Sequence, residues 1–569
     1  MRVLRGYSQL AIACWFGLAS AAEPAYKLPD IGSSAATVMS PSDLHDYGAE
    51  MLRELRSYDM VLDDPLVADY LGAIGYRLVS MSDRPEQPFT FFVVRDNTIN
   101  AFAAPGGFVA VNSGLIVNMD RVDELAAVLA HEISHITQQH LLRAFESQQK
   151  MSIPVMLAML GIMIASAGRS DDTGQAAIVT GTSILQQHAI NFTRQDEAEA
   201  DRVGIQTLAR AGFDPNAMAE AFQTLQRITR VNSTEIPPYL IDHPVDTLRI
   251  ADAKARAAQL GCPVAQQVPP PGPVAPARSG ALDLSLPRDY SFLSDANAPD
   301  TGSGTDAATT LSVAAKGHAG ALPTVTVEAC RDRDPAAQSY FLLMRERTRV
   351  LSSDNPSTTL GYYTRNLHDD KAFNTLANRY GHALALLRSN QAQSAMAELA
   401  PLAAQHPDSA VLRLALAKAT AKSGGRDVAR HEYESIYRDF PGNRAVVLMY
   451  ADALLDAGDA AGARRVQEIL RPLLDRNPAD PDLQQSFGRA CALAGDTVRA
   501  AEAYAEAAFL NGHAEDALNQ LKRLATRQDL DYYQRSRIDA RIAQLTPIVL
   551  EARKRDSDSP PDSLLPAWH

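Results

Sequence analysis

The pentapeptide His131-Glu132-Ile133-Ser134-His135 leaves few options for the segment that carries it. On a helix, residues four apart share a face, so both imidazoles point the same way. Leu125, Val128 and Leu129 precede them, which makes that helix apolar and buried. A buried imidazole needs a polar partner. One zinc ion can serve both rings, and the intervening Glu132 can then reach a metal-bound water as general base; the plain alternative for the pentapeptide alone is two surface histidines on an amphipathic helix. Catalytic zinc takes three protein ligands and keeps a fourth position open. A third ligand must therefore come from elsewhere in the chain.

The run Asp196-Glu197-Ala198-Glu199-Ala200-Asp201 offers it. Spacing alone does not separate Glu197 from Glu199. Glu197 and Asp201 form an i, i+4 pair, so one can ligate while the other orients a ligand imidazole. The plain alternative is an acidic helix face turned to solvent.

The 569 residues are too many for one core, and several domains are expected. Apolar residues make up 46% and charged residues 21%, which excludes a wholly disordered or multi-span membrane chain. Formal charge is −13, so there is no basic surplus to neutralise phosphates and no nucleic-acid partner is expected. Arg2, Arg5, the apolar stretch Leu10–Leu18 and the small residues Ala19-Ser20-Ala21-Ala22 read as a signal peptide over 1–22, cleaved near Ala21 or Ala22. Export leaves Cys262, Cys330 and Cys491, which predicts one disulfide and one free thiol without choosing the pair.

Residues 41–260 read as a compact α+β domain. Phe89–Val94 is a strand, Pro105-Gly106-Gly107 a turn and Phe108–Val111 a second strand. Asp120 is expected to cap the HExxH helix, with Asp123 in its first turn, and that helix to run to about Phe145. A second long helix is expected over 182–211, stopped by Gly212 and Pro215. Prolines interrupt 261–325, which reads as a linker. Helices then repeat over 326–550. Gly424, Gly458 and Gly495 are 34 and 37 residues apart, as are Pro407, Pro441 and Pro478, which places a three-residue insertion in the helix before Pro478. A period near 34 with small residues inside resembles tetratricopeptide repeats, a helical solenoid suited to binding. Residues 551–569 read as a disordered tail. The fold class is thus mainly α: an α+β HExxH domain followed by a helical solenoid.

HEISH, the Glu-x-x-Ala-Asp pattern of Glu197–Asp201 and the following Arg202-Val203-Gly204 resemble the zinc metallopeptidase family of the CAAX prenyl proteases and HtpX heat-shock proteases. The resemblance is strongest over 41–260. It implies one zinc ion per chain on His131, His135 and Glu197, with Glu132 as general base. Asp201 supports the site, and orientation of a ligand suits it better than proton donation. His243-Pro244 with Arg249 six residues after His243 matches a further family motif. Arg249 could stabilise the oxyanion. His243 could do the same, or occupy the open zinc position and hold the enzyme latent. Asn100-Ala101-Phe102-Ala103 matches the strand beside the zinc, whose edge could pair with an extended substrate.

Signal, HExxH domain and repeats together resemble the family's periplasmic branch. The implied function is a periplasmic endopeptidase that degrades misfolded or stalled outer-membrane β-barrel proteins and assists their assembly, docking on the assembly machinery. The alternative is a chaperone or scaffold working mainly through its repeats. Residues 151–168, MSIPVMLAMLGIMIASAG, carry no charge. They read as a Met-rich flap over the cleft that could touch the membrane peripherally, with a buried core helix as the competing reading.

Overall fold

The computed structural model describes residues 40–147, 194–231, 237–260 and 335–558. Helix α1 (Pro41–Ser57) opens on a reciprocal cap between Ser40 and Asp43. Helix α2 (Pro65–Ser80) is capped by Asp64, whose carboxylate accepts from Val67 N–H. Strands β1 (Thr90–Val94), β2 (Ala101–Ala104) and β3 (Phe108–Asn112) form one sheet in the order β1-β3-β2. β1 runs parallel to β3, and β2 antiparallel to it across the turn Pro105–Gly107. The β-branched and aromatic content of β1 and β3 suits a sheet buried on both faces. The edge strand β2 lies against the HExxH helix.

Helices α3 (Ser113–Asn118) and α4 (Val122–Thr137) follow. Asp120 does not cap α4. The cap residue is Arg121, Asp120 N–H donates to Glu124, and the Asp120 carboxylate pairs with Arg227. Asp123 does stand in the first turn. Nor does the helix continue to Phe145. Gln139 takes φ 58°, breaks the helix, and starts α5 (His140–Ser147) in a new direction. Helix α6 (Arg194–Arg210) ends where Gly212 adopts φ 76°, and the earlier part of the helix expected over 182–211 lies outside the described residues. Helices α7 (Ala217–Val231), α8 (Pro238–Asp242) and α9 (Thr247–Gln259) close the domain. α4 and α6 pack together closely. A side chain on Gly204 would come within 3.3 Å of the Ala130 backbone, so glycine is what permits this approach.

The second half is helical throughout the described residues: α10 (Pro335–Ser352), α11 (Pro356–Asp369), α12 (Leu376–Arg388), α13 (Ala392–Gln405), α14 (Ala410–Lys422), α15 (Arg426–Asp439), α16 (Arg444–Leu455), α17 (Ala460–Arg476), α18 (Pro481–Ala494), α19 (Thr497–Leu510), α20 (Ala514–Ala525) and α21 (Tyr532–Asp558). From α12 onward they form pairs that start 34, 34, 37 and 33 residues apart. Gly424, Gly458 and Gly495 all sit at positive φ where the first helix of a pair turns into the second. The extra residues fall where the spacing put them: α17 has 17 residues against 14 in α15. Helix α21 continues to Asp558, so the expected disordered tail does not begin at 551.

The two halves share one core, which runs from Leu62 to Ala490. Helix α10 packs on α3 and α2, and α16 also reaches α2. At the α2–α16 contact Arg444 is surrounded by Asp69, Asp480 and Asp482. Burial and carboxylate crowding outweigh Arg444 and push Asp69 and Asp482 up to about 6. Groups raised in this way hold protons the unfolded chain has released, so their contribution to stability falls as pH rises from ~4 to ~6 and then levels off. Asp69 also faces Asp64 and the Ala445 N–H, and Asp482 faces Asp63. Asp69→Asn should therefore raise the melting temperature at ~pH 7.5 and leave it nearly unchanged below ~pH 4. Equal effects at both pH values in thermal unfolding would contradict this.

Among the described residues no helix is long and apolar enough to cross a membrane. Cys491 is buried and unpaired. The expected signal, the 151–168 flap, the 261–325 linker, Cys262 and Cys330 lie outside the described residues.

Candidate metal centre

α4 carries His131, Glu132 and His135 on its buried side, and α6 faces it with Glu197 and Asp201 in its first two turns. All five are at most 3% exposed. His131 Nε2 and His135 Nε2 are 3.0 Å apart. Glu197 lies 3.5 Å from the first and 3.4 Å from the second. The tight turn after α8 adds His243, whose Nδ1 is 3.3 Å from His131 Nε2 and 2.9 Å from Glu197 Oε1. A tetrahedral site with metal–ligand bonds of ~2.1 Å has edges of about 3.4 Å. The spacings of 2.9–3.5 Å are near that edge, and the four residues offer atoms within 4.8 Å of one another, a group that could hold a metal ion.

The electrostatics agree. Burial alone would raise Glu197, but the three imidazoles aimed at it outweigh that and hold it below the ordinary carboxylate range. Burial would lower His131, but Asp201 and Glu197 outweigh it and raise its pKa to about 10, so the cluster favours positive charge at its centre. Burial, with His131 and His243 beside it, holds His135 well below its usual value. Glu132 is desolvated and its pKa raised, with Oε1 lacking a hydrogen-bond partner and His243 Nε2 3.8 Å away. A carboxylate stripped of water beside a cation site suits a proton acceptor.

Spacing left Glu197 and Glu199 equal, and the fold separates them. Glu197 enters the donor cluster, while Glu199 turns to the far side, against His140 and Arg143. Asp201 lies 3.0 Å from His131 Nδ1, behind the ring. Asp246 caps α9 and so aims Arg249 inward. Arg249 donates through Nε and Nη2 to Asp201, and through Nη1 to Pro244 O, with Glu197 also 2.8 Å from Nη1. Its donors face carboxylates, not open cleft. Ala101, Phe102 and Ala103 lie on edge strand β2, and Asn100 just precedes it. The Tyr239 N–H donates to Ile99 O, which ties α8 to the start of that strand.

Two residues near the centre escaped the reading of the sequence. Tyr239 is fully buried beside His243, with ring centroids 4.8 Å apart. His140 lies against His135, 3.0 Å between their Nδ1 atoms. An i, i+5 spacing signals nothing on a continuous helix, and the break at Gln139 is what brings His140 in. Tyr239 had one available signal, its place one turn before His243.

An HExxH helix crossed by a helix that presents a carboxylate defines a metallopeptidase-type centre. Residues 65–257 match the model of peptidase family M48, which bears out the resemblance read from HEISH and Glu197–Asp201. Among curated relatives, the putative beta-barrel assembly-enhancing protease of Vibrio cholerae is 42% identical over 41% of this chain and 48% of its own. The beta-barrel assembly-enhancing protease of Escherichia coli is 41% identical over 42% of this chain and 49% of its own. A mitochondrial metalloendopeptidase of Schizosaccharomyces pombe is 33% identical over 26% of this chain and 41% of its own. The alignments thus span about half the length of the bacterial relatives.

Proposed function

We propose that the chain is a zinc endopeptidase of the periplasm that degrades misfolded or stalled outer-membrane β-barrel proteins and assists their assembly. The observation that carries this is the convergence of His131, His135, Glu197 and His243 beside the desolvated Glu132. The names of the bacterial relatives supply the substrate class. His131, His135 and Glu197 would hold one zinc ion, which supplies Lewis acidity and a water of lowered pKa. Glu132 takes the proton from the attacking water and delivers it to the leaving nitrogen. Asp201 holds the His131 ring from behind, and Arg249 locks Asp201 and Glu197 in place. This assigns Arg249 to positioning in preference to the oxyanion. The open edge of β2, with Asn100, Ala101, Phe102 and Ala103, takes the substrate by strand addition. The helix pairs, of tetratricopeptide type by their 34-residue period, present the docking surface for the assembly machinery. Peripheral membrane contact is assigned to 151–168, the uncharged stretch.

The test is cleavage of an unfolded β-barrel protein by the purified chain. Chelation should abolish cleavage and one equivalent of zinc should restore it. Full cleavage in chelator would refute the reading.

His243 fills the corner a catalytic site leaves for water, so its role is a plug that holds the enzyme latent until substrate displaces it. His243→Ala should increase cleavage of a short unstructured peptide several-fold. A loss of activity with zinc retained would assign His243 to the transition state instead.

A further inference from the structure

The two α4 imidazoles are supported from behind in different ways. His131 has a carboxylate there, Asp201, at 3.0 Å. His135 has another imidazole, His140 Nδ1 at 3.0 Å from His135 Nδ1. His140 is itself fully buried, and its other nitrogen, Nε2, lies 3.2 Å from Glu199 Oε2. Glu199 is then held by Arg143 at 2.8 Å and Arg202 at 3.5 Å. The line His135–His140–Glu199–Arg143 exists because Gln139 takes φ 58°, breaks the helix after Thr137 and brings His140 against His135. A non-glycine residue seldom adopts that region, and such strain persists where the surroundings fix it.

The proton positions along this line follow from one condition. If His135 ligates through Nε2, its Nδ1 must carry the proton. His140 Nδ1 must then accept, so His140 carries its proton on Nε2 and donates to the Glu199 carboxylate. Every nitrogen on the path has one role. We propose that His140 and Glu199 are positioning residues for the metal: they fix the tautomer and orientation of His135 and thereby tighten zinc binding. This rests on His135 being a zinc ligand. His140, Asp196 and Glu199 also form a group that could hold a cation of their own. Arg143 Nη2 already stands 2.8 Å from Glu199 and 3.9 Å from Asp196, which favours the relay.

The experiment is zinc affinity of the full chain by competition with a chromophoric chelator, with metal content by mass spectrometry. Wild type should bind one zinc. His140→Phe keeps a ring against His135 but offers no acceptor, and should bind zinc about 10–100-fold more weakly. His140→Asn places an amide oxygen near the Nδ1 position and should recover part of that loss. Glu199→Ala, at a partly exposed site that tolerates truncation, should weaken zinc about 10-fold and serves if His140→Phe does not fold. Melting in chelator should be nearly the same for all, while the zinc-induced rise shrinks in the variants. His140→Phe binding zinc as tightly as wild type would overturn the relay. So would His140→Asn binding as weakly as His140→Phe, or a second zinc in wild type that Glu199→Ala removes. A wild type that binds no zinc would refute the metal centre itself, which separates the two failures.

Discussion

Glu132→Gln is expected to bind zinc as wild type does and to cleave an unfolded protein ~10²–10⁴-fold more slowly. The amide keeps the size and buried position of Glu132, which is 1% exposed, but cannot accept a proton. Glu132 stands outside the group of residues that could hold the metal, so its loss should spare the metal. Zinc content, steady-state cleavage and circular dichroism on one preparation check this. A variant that keeps zinc and full activity would exclude the general base. The same variant divides protease from scaffold. Full restoration of outer-membrane integrity by Glu132→Gln, together with failure of a chain truncated at about 325, would favour work done by the repeats.

The second large effect lies in the joint between the halves. Arg347 on α10 is 5% exposed and forms a two-pronged pair with Asp64 at 2.7 and 2.6 Å, with Tyr380 Oη at 3.0 Å on its third nitrogen. Asp64 also caps α2, the helix that packs against the HExxH helix. Arg347→Ala leaves that partly buried carboxylate without its paired cation and should cost up to about 3–5 kcal/mol. Arg347→Met with Asp64→Asn removes both charges, keeps volume and an acceptor for Val67 N–H, and should recover much of the loss. Urea unfolding measures both. If Arg347→Ala alone costs less than ~1 kcal/mol, the pair is not buried as described.

The centre was legible in the sequence where it is local. HExxH on an apolar helix and the i, i+4 pair Glu197–Asp201 are statements about helical periodicity, and α4 and α6 obey it. What places α6 against α4, and so chooses Glu197 over Glu199, is tertiary packing through Gly204 and Ala130, which no spacing encodes. His243 and Arg249 were recognised by motif, yet the commitment of Arg249 to two carboxylates needed the fold. Asp120 looked like a cap because the propensity is real, but Glu124 reaches back to its N–H and Arg227 takes its carboxylate. The break at Gln139 has no glycine or proline to announce it. In the second half the glycine and proline spacing carried the helix pairing and even the longer α17, because each turn must solve the same geometric problem. The joint between the halves was invisible, since Asp64 and Arg347 are 283 residues apart.

The central claim is that His131, His135 and Glu197 converge on one zinc ion. Diffraction from zinc-loaded crystals on either side of the zinc absorption edge tests it most directly. A single anomalous peak bonded to His131 Nε2, His135 Nε2 and Glu197 at ~2.0–2.2 Å is the predicted result. No peak there, or a peak held by other residues, would contradict it.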